Sequence, residues 1–245
     1  MIDRISINAI AEEVSRALSY SRGGNEGAMV VTPLLYPGGA RVVLRFQESE
    51  DGYFVSDLGA GRREADLMDG STVFTRIAKA AAERFGVRFD SDMVFDIEVP
   101  REALVSAAIA VANASKEAVD HTAARISEKR AMDQRYELWS RLTAAFPQAH
   151  VEREVMVRGA SSPWNFDAMI EIGGHTSLFD LVVPHASSVH AAVSKFLDIK
   201  DLGEQSPVRV AVITDSENTP HLPLLGRTAK IIQLDAAIET FKRAA

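Results

Sequence analysis

The chain has no cysteine, which excludes disulfide cross-links, thiolate-held zinc or iron–sulfur centres and cysteine nucleophiles, and fits a reducing compartment. Long apolar runs are also missing. Asp3, Arg4, Glu12, Glu13 and Arg16 interrupt the N-terminal stretch where a secretory signal needs apolar residues, and no segment approaches the roughly 20 apolar residues of a membrane span. A cytoplasmic protein is the expectation. Positive charge is scarce: 27 Lys and Arg against 34 Asp and Glu leave a net charge of −7. That argues against a general polyanion-coating protein, which needs concentrated cations. Arg41, Arg45, Arg62 and Arg63 form one local basic group, read as solvated strand and turn positions. No G-x-G-x-x-G fingerprint, Walker loop or G-x-S-x-G elbow occurs, so nucleotide-cofactor and nucleophile-elbow chemistry have no support. Ser161 and Ser162 fall in a turn before Pro163.

What is present is ordinary globular composition, with 245 residues, 47% apolar and 25% charged, enough for two modest cores. Ile7, Ile10, Val14 and Leu18 form a helical stripe within residues 3–20, with Asp3 placed to cap it and Gly23-Gly24 to stop it. Three strands follow at 28–36, 40–47 and 53–58. Pro37-Gly38-Gly39 and Glu50-Asp51-Gly52 separate them, as in an antiparallel meander. A helix at 72–85 ends at Gly86, and a strand at 93–99 completes an N-terminal α+β domain over 1–100. Residues 101–146 carry helical periodicity without a strong turn, as a connector of one long helix or two. From residue 147 to 245 the pattern becomes strand-rich. Counting the preceding helix it reads αβββαβ, so the fold class is α+β / α/β.

Thr32-Pro33, the Pro37-Gly38 turn and the corner Val55-Ser56-Asp57-Leu58-Gly59 resemble the bacterial family known as domain of unknown function 1828, over residues 31–113. The part after Pro147 is similar in pattern to its companion, domain of unknown function 1829. Its element order also resembles the restriction-endonuclease-like superfamily, whose members hold a metal with an Asp at the start of one strand and an acidic-x-Lys on the next.

That resemblance implies a metal-assisted phosphodiester centre. Asp167 and Asp180 fall at the two acidic places. Carboxylates on neighbouring strands can share Mg²⁺, which polarises the phosphodiester and acidifies an attacking water. Val182 stands where the Lys belongs, and Lys195 on the next helix is the candidate replacement, to stabilise charge on the phosphorane oxygens. Glu171, four residues beyond Asp167, is a third candidate ligand on the same side of its strand, and Glu128 and Glu137 are carboxylates within helical reach. The plainer account makes Asp167 and Asp180 strand-end or solvent-facing residues. His175, His185, His190 and His221 lack helical metal-pair spacing and read as surface or capping residues. Ser56, Asp57 and Gly59 read as a structural turn, with Asp57 also considered as an exposed carboxylate on a rigid support.

Two function classes follow. One is a nucleic-acid-associated bacterial or phage protein with a nuclease-like, degenerate C-terminal domain that uses Mg²⁺ if active and takes DNA or RNA as partner. The other is a non-catalytic interaction module, such as a phage or mobile-element inhibitor or a defence accessory, with a protein partner or a second copy of itself.

Overall fold

The structure, a computed structural model, describes residues 6–24 and 27–245. The chain divides into two compact units, Met1–Lys129 and Arg130–Ala245. In the first, helix α1 (Ile7–Leu18) starts at Ser6, whose Oγ accepts the Ala9 N–H at 3.2 Å. Asp3, the expected cap, lies outside the described residues. The helix stops before the glycines, because the backbone is extended at Ser19 and continues as a strand, β1 (Tyr20–Gly24). Gly23 and Gly24 weaken a helix here, and pairing with β2 (Gly27–Leu35) makes the strand.

The expected meander follows as β2, β3 (Arg41–Glu48) and β4 (Tyr53–Ser56). Two helices, α2 (Ala60–Leu67) and α3 (Ser71–Phe85), lead to β5 (Arg88–Phe89) and β6 (Phe95–Val99). All pairs are antiparallel, giving a six-stranded sheet in the order β1-β2-β3-β4-β6-β5. Gly86 closes α3 in the left-handed conformation (φ 67°), which an L side chain resists. Val42, Leu44, Val55 and Phe95 on one sheet face meet Phe74 and Ala78 of α3 and Val111, Ala114 and Ala118 of α4 (Leu104–Ala145).

The 42-residue helix α4 is continuous. Its first half belongs to this core, while Leu138, Trp139, Leu142 and Ala145 belong to a core of the second unit. The segment expected as a connector is therefore built into both units. In the second unit β7 (Val151–Arg158), β8 (Pro163–Ile172) and β9 (His175–Val182) are antiparallel. After α5 (Ala186–Lys200), strands β10 (Val208–Ile213) and β11 (Lys230–Gln233) continue the sheet in parallel, in the order β11-β10-β9-β8-β7. A short helix α6 (Leu222–Leu225) lies between them, and α7 (Ile238–Ala244) ends the chain. One face packs on α4 and α7, the other on α5.

The corner after β4 shows what the Ser-Asp-Leu-Gly run does. Leu58 (φ 51°) and Gly59 (φ 67°) are both left-handed and turn the strand sharply into α2. Asp57 is 1% exposed. Its Oδ1 accepts the Gly59 and Phe95 N–H groups at 2.9 Å each, and its Oδ2 accepts the Gly61 N–H at 3.0 Å and the Ser115 hydroxyl at 2.6 Å. Ser56 Oγ accepts the Leu58 N–H at 3.3 Å. Gly61 is required by close approach, since a Cβ there would stand 2.6 Å from Ser115 Oγ. Asp57 is thus no exposed carboxylate. It ties β4, α2, β6 and α4 together, and burial is offset by donors on both oxygens.

Replacing Asp57 with Asn turns one acceptor oxygen into a donor that faces other donors. Asp57→Asn is expected to lower unfolding free energy by about 3 kcal/mol, the scale of an unmade buried hydrogen bond to a charged group. Urea denaturation checks this, and a midpoint equal to that of the native sequence would show that the carboxylate is dispensable.

Candidate functional site

Strands β8 and β9 pair from Ile172 opposite His175 to Ala168 opposite Phe179. One step farther, the same register sets Asp167 against Asp180, and there the strands part. The Leu181 N–H donates to Asp167 Oδ2 at 2.7 Å in place of a ladder bond. β8 also changes face at this point. Phe166 packs with the α5 cluster, its ring 5.8 Å from that of Phe196, whereas Ala168 and Ile170 pack on the α4 side. Across the ladder Glu154 of β7 takes a left-handed φ of 50°, between the pairs Arg153–Ala168 and Val155–Phe166.

Each aspartate has its own cation. Lys195, on α5, donates from Nζ to Asp180 Oδ1 at 2.8 Å, to Oδ2 at 2.7 Å and to the Asn165 carbonyl at 2.6 Å. Its ammonium also lies 4.9 Å from the Phe166 ring centroid. Arg135, on α4, donates from Nε to Asp167 Oδ1 at 2.8 Å, and its Nη1 is 3.7 Å from Glu154 Oε1. Trp139, one turn on, donates from Nε1 to the Asp167 carbonyl at 2.8 Å. Arg135, Glu154, Asp167, Asp180, Ser188 and Lys195 line a polar cavity of about 520 Å³.

Burial pushes the Asp180 carboxyl up from its ordinary 3.8 to about 6; Lys195 opposes the shift and the Asp167 charge adds to it. The upward direction means that dehydration outweighs the ion pair.

The structure thus brings Asp167, Asp180 and Lys195 together and leaves the other candidates apart. Glu171 is exposed near the β8–β9 turn, opposite Thr176, and does not line the cavity. The spacing rule fails because β8 changes face at Asp167. Glu137 pairs with Arg141 at 2.9 Å and Glu128 with Arg125 at 2.8 Å, as helix neighbours do. The third acidic group at the cavity is Glu154, and the second cation is Arg135. Neither has a motif. Arg135 is legible only as a helical neighbour of Trp139, four residues on. His185 caps α5, accepting the Ser187 N–H at Nδ1 (3.3 Å), and His190 stacks on His221 with centroids 5.2 Å apart. Ser161 and Ser162 belong to a turn held by Asp198, which also accepts the Trp164 Nε1–H at 2.7 Å. The Ser161 and Trp164 side-chain hydrogen bonds hold the Asp198 carboxyl down at about 2.

The donor set does not suit Mg²⁺ as arranged. The ion asks for near-octahedral oxygen ligands with free lone pairs. Lys195 covers both oxygens of Asp180, while Arg135 and a backbone amide cover those of Asp167. Among the described residues no group of three or more His, Cys, Asp or Glu is placed to hold a metal. Three carboxylates and two cations leave the cavity close to charge balance without an ion.

No family model matches the chain, and no curated protein does. A search of solved structures finds the crystal structure of AF1548, a protein of unknown function, at TM-score 0.31 and 12% identity, over 42% of this chain and 59% of that one. A likeness this slight carries no argument.

Since the folded Asp180 carboxyl titrates near 6 and an unfolded one near 3.8, the folded state keeps a proton over that window that the unfolded state has lost. Asp180 therefore makes stability fall as pH rises from 4 to 6, by up to about 3 kcal/mol for two pKa units. The stability difference between the native protein and Asp180→Asn, measured by urea titration from pH 4 to 7, should change across this window. A flat difference would mean that Asp180 titrates normally. Lys195→Met, which strands a buried carboxylate, should cost about 3 kcal/mol at pH 7.5 and less at pH 5.

Proposed function

We propose that the C-terminal unit is a nuclease-like domain with a degenerate centre, and that the protein associates with DNA or RNA without cutting it efficiently. The observation that carries this reading is the Lys195 ammonium on both oxygens of Asp180, beside an Asp167 neutralised by Arg135. The αβββαβ order and the opposed aspartates agree with what the resemblance to the restriction-endonuclease-like superfamily implies. In this reading the cations cover carboxylate oxygens that a divalent ion would need.

In this reading Arg135 and Lys195 are the groups that meet a phosphate, and Asp180 controls how strongly. At neutral pH it holds Lys195 in an ion pair. Below about pH 6 it takes up a proton and leaves an ammonium and a guanidinium against one fewer negative charge.

Binding of short single-stranded DNA and RNA, followed by fluorescence anisotropy at constant ionic strength, should tighten as pH falls from 7.5 to 5.5. Asp180→Asn should bind more tightly at pH 7.5 and lose this dependence. With Mg²⁺ or Mn²⁺ added, neither plasmid nor single strands should be cut above the level of Asp180→Ala. Divalent-dependent cleavage that Asp180→Ala abolishes would restore the reading of an active centre.

A second reading, a non-catalytic module that engages a protein, has one observation in its favour. Ile7, Ile10, Val14 and Leu18 of α1 are 76%, 40%, 51% and 50% exposed, although they form one apolar stripe. Light scattering across a dilution series distinguishes a self-associating stripe from one that is merely solvated.

A further inference from the structure

A second cleft in the C-terminal unit, about 670 Å³, lies where the parallel strands β10 and β11 begin, beneath the C-terminal end of α5. Its four charged lining residues are all cations, Lys200, Arg209, Arg227 and Lys230, and among the described residues no carboxylate lines it. In a chain of net charge −7, such a concentration of one sign is contrary to composition. Clustered charge of one sign favours an anion as ligand.

Arg209 is the anchor. Ala211 and Ile213 of the same strand pack in the α5 cluster, so strand alternation points Arg209 to that side. Its Nε donates to the Thr228 carbonyl at 2.9 Å and its Nη1 to the Pro207 carbonyl at 3.0 Å and to the Ser206 hydroxyl. All these acceptors are neutral. Burial lowers the pKa of this guanidinium from its usual value. Lys230 donates to the Ala244 carbonyl at 2.9 Å, again a neutral group. Lys200 and Arg227 are exposed and make no ion pair among the described residues. The acidic neighbours Asp201 and Glu204 do not line the cleft.

We propose that this cleft binds phosphate groups, with Arg209 as the positioned fork and Lys200, Arg227 and Lys230 as the surrounding charge. The volume is in the range of small-ligand sites, and arginine and lysine together are the usual phosphate partners. The phosphates can belong to a small phosphoanion or to successive phosphodiesters of a nucleic-acid strand. The inference is independent of the Asp167–Asp180 centre, since Ser188 and Lys200 sit near opposite ends of α5.

The test uses the full chain, with pyrophosphate in calorimetry and a short fluorescent single-stranded DNA in anisotropy. Three proteins are compared: the native sequence, Lys200→Ala/Arg227→Ala, and Arg76→Ala/Lys79→Ala, a charge-matched control on the exposed side of α3. The exposed pair can be changed without touching a core, and circular dichroism confirms folding. The expected result is pyrophosphate binding weakened about tenfold or more in the double variant, which removes two charge-assisted hydrogen-bond donors, and unchanged in the charge-matched Arg76→Ala/Lys79→Ala control. For DNA, the salt slope of log affinity should shrink by roughly 1.4 for two phosphate contacts on a single strand. Pyrophosphate binding without DNA binding assigns a small phosphoanion. DNA binding that pyrophosphate competes away and the double variant weakens assigns a strand. Absence of both, or equal affinities in the native and double-variant proteins, overturns the proposal. Loss of the pH effect in Asp180→Asn concerns the other site and leaves this one standing.

Discussion

Two carboxylates set against each other on adjacent strands are the constraint around which the second unit is arranged. Asp167 and Asp180 meet where β8 and β9 part, and like charges directly across a strand pair destabilise it. The fold answers with two cations from different helices. Lys195 comes from α5 on one face and Arg135 from α4 on the other, so the opposed aspartates also fix how both helices lie on the sheet. The Trp139 indole, held by the Asp167 carbonyl, adds a second tie to α4.

The protein uses aspartate in two physical situations, and their partners separate them. Asp57 and Asp198 accept hydrogen bonds from backbone amides and neutral side chains and hold turns. Their donors are local to the turn or packed against it, so the carboxylate is a structural acceptor. Asp180 instead has a lysine on both oxygens, with the Asp167 backbone amide as a lesser donor, and dehydration raises its pKa in spite of both. A buried carboxylate that remains costly after pairing is where a functional role is to be sought. The all-cationic cleft around Arg209 is its counterpart in charge, a desolvated cation with neutral neighbours.

Much of the fold was legible from residues alone. The meander could be read from Pro37-Gly38-Gly39 and Glu50-Asp51-Gly52, the end of α3 from Gly86, and the αβββαβ order from alternating apolar positions, because these signals are local. β1 was not legible: Tyr20–Gly24 has no strand pattern of its own and forms by pairing with β2. Nor was α2, whose start depends on two left-handed residues that Asp57 holds in place.

The same division runs through the candidate site. Asp167, Asp180 and Lys195 could be singled out only through the resemblance of the C-terminal element order to a nuclease superfamily; once the hairpin is known, the strand register carries the two acidic positions to each other. Arg135 and Glu154 could not, because nothing in one dimension says that a helix residue 32 positions away donates to Asp167 or that β7 twists at Glu154. Glu171 was placed by a period-two rule that the change of face at Asp167 breaks. Whether the aspartates stand open to an ion or closed by cations is likewise a matter of packing, as α5 and α4 must be seated on the sheet before Lys195 and Arg135 reach them. Local propensity and periodicity were enough to specify most of the elements. The charge balance of the site was not contained in them, because it arises from the long-range seating of two helices on one sheet.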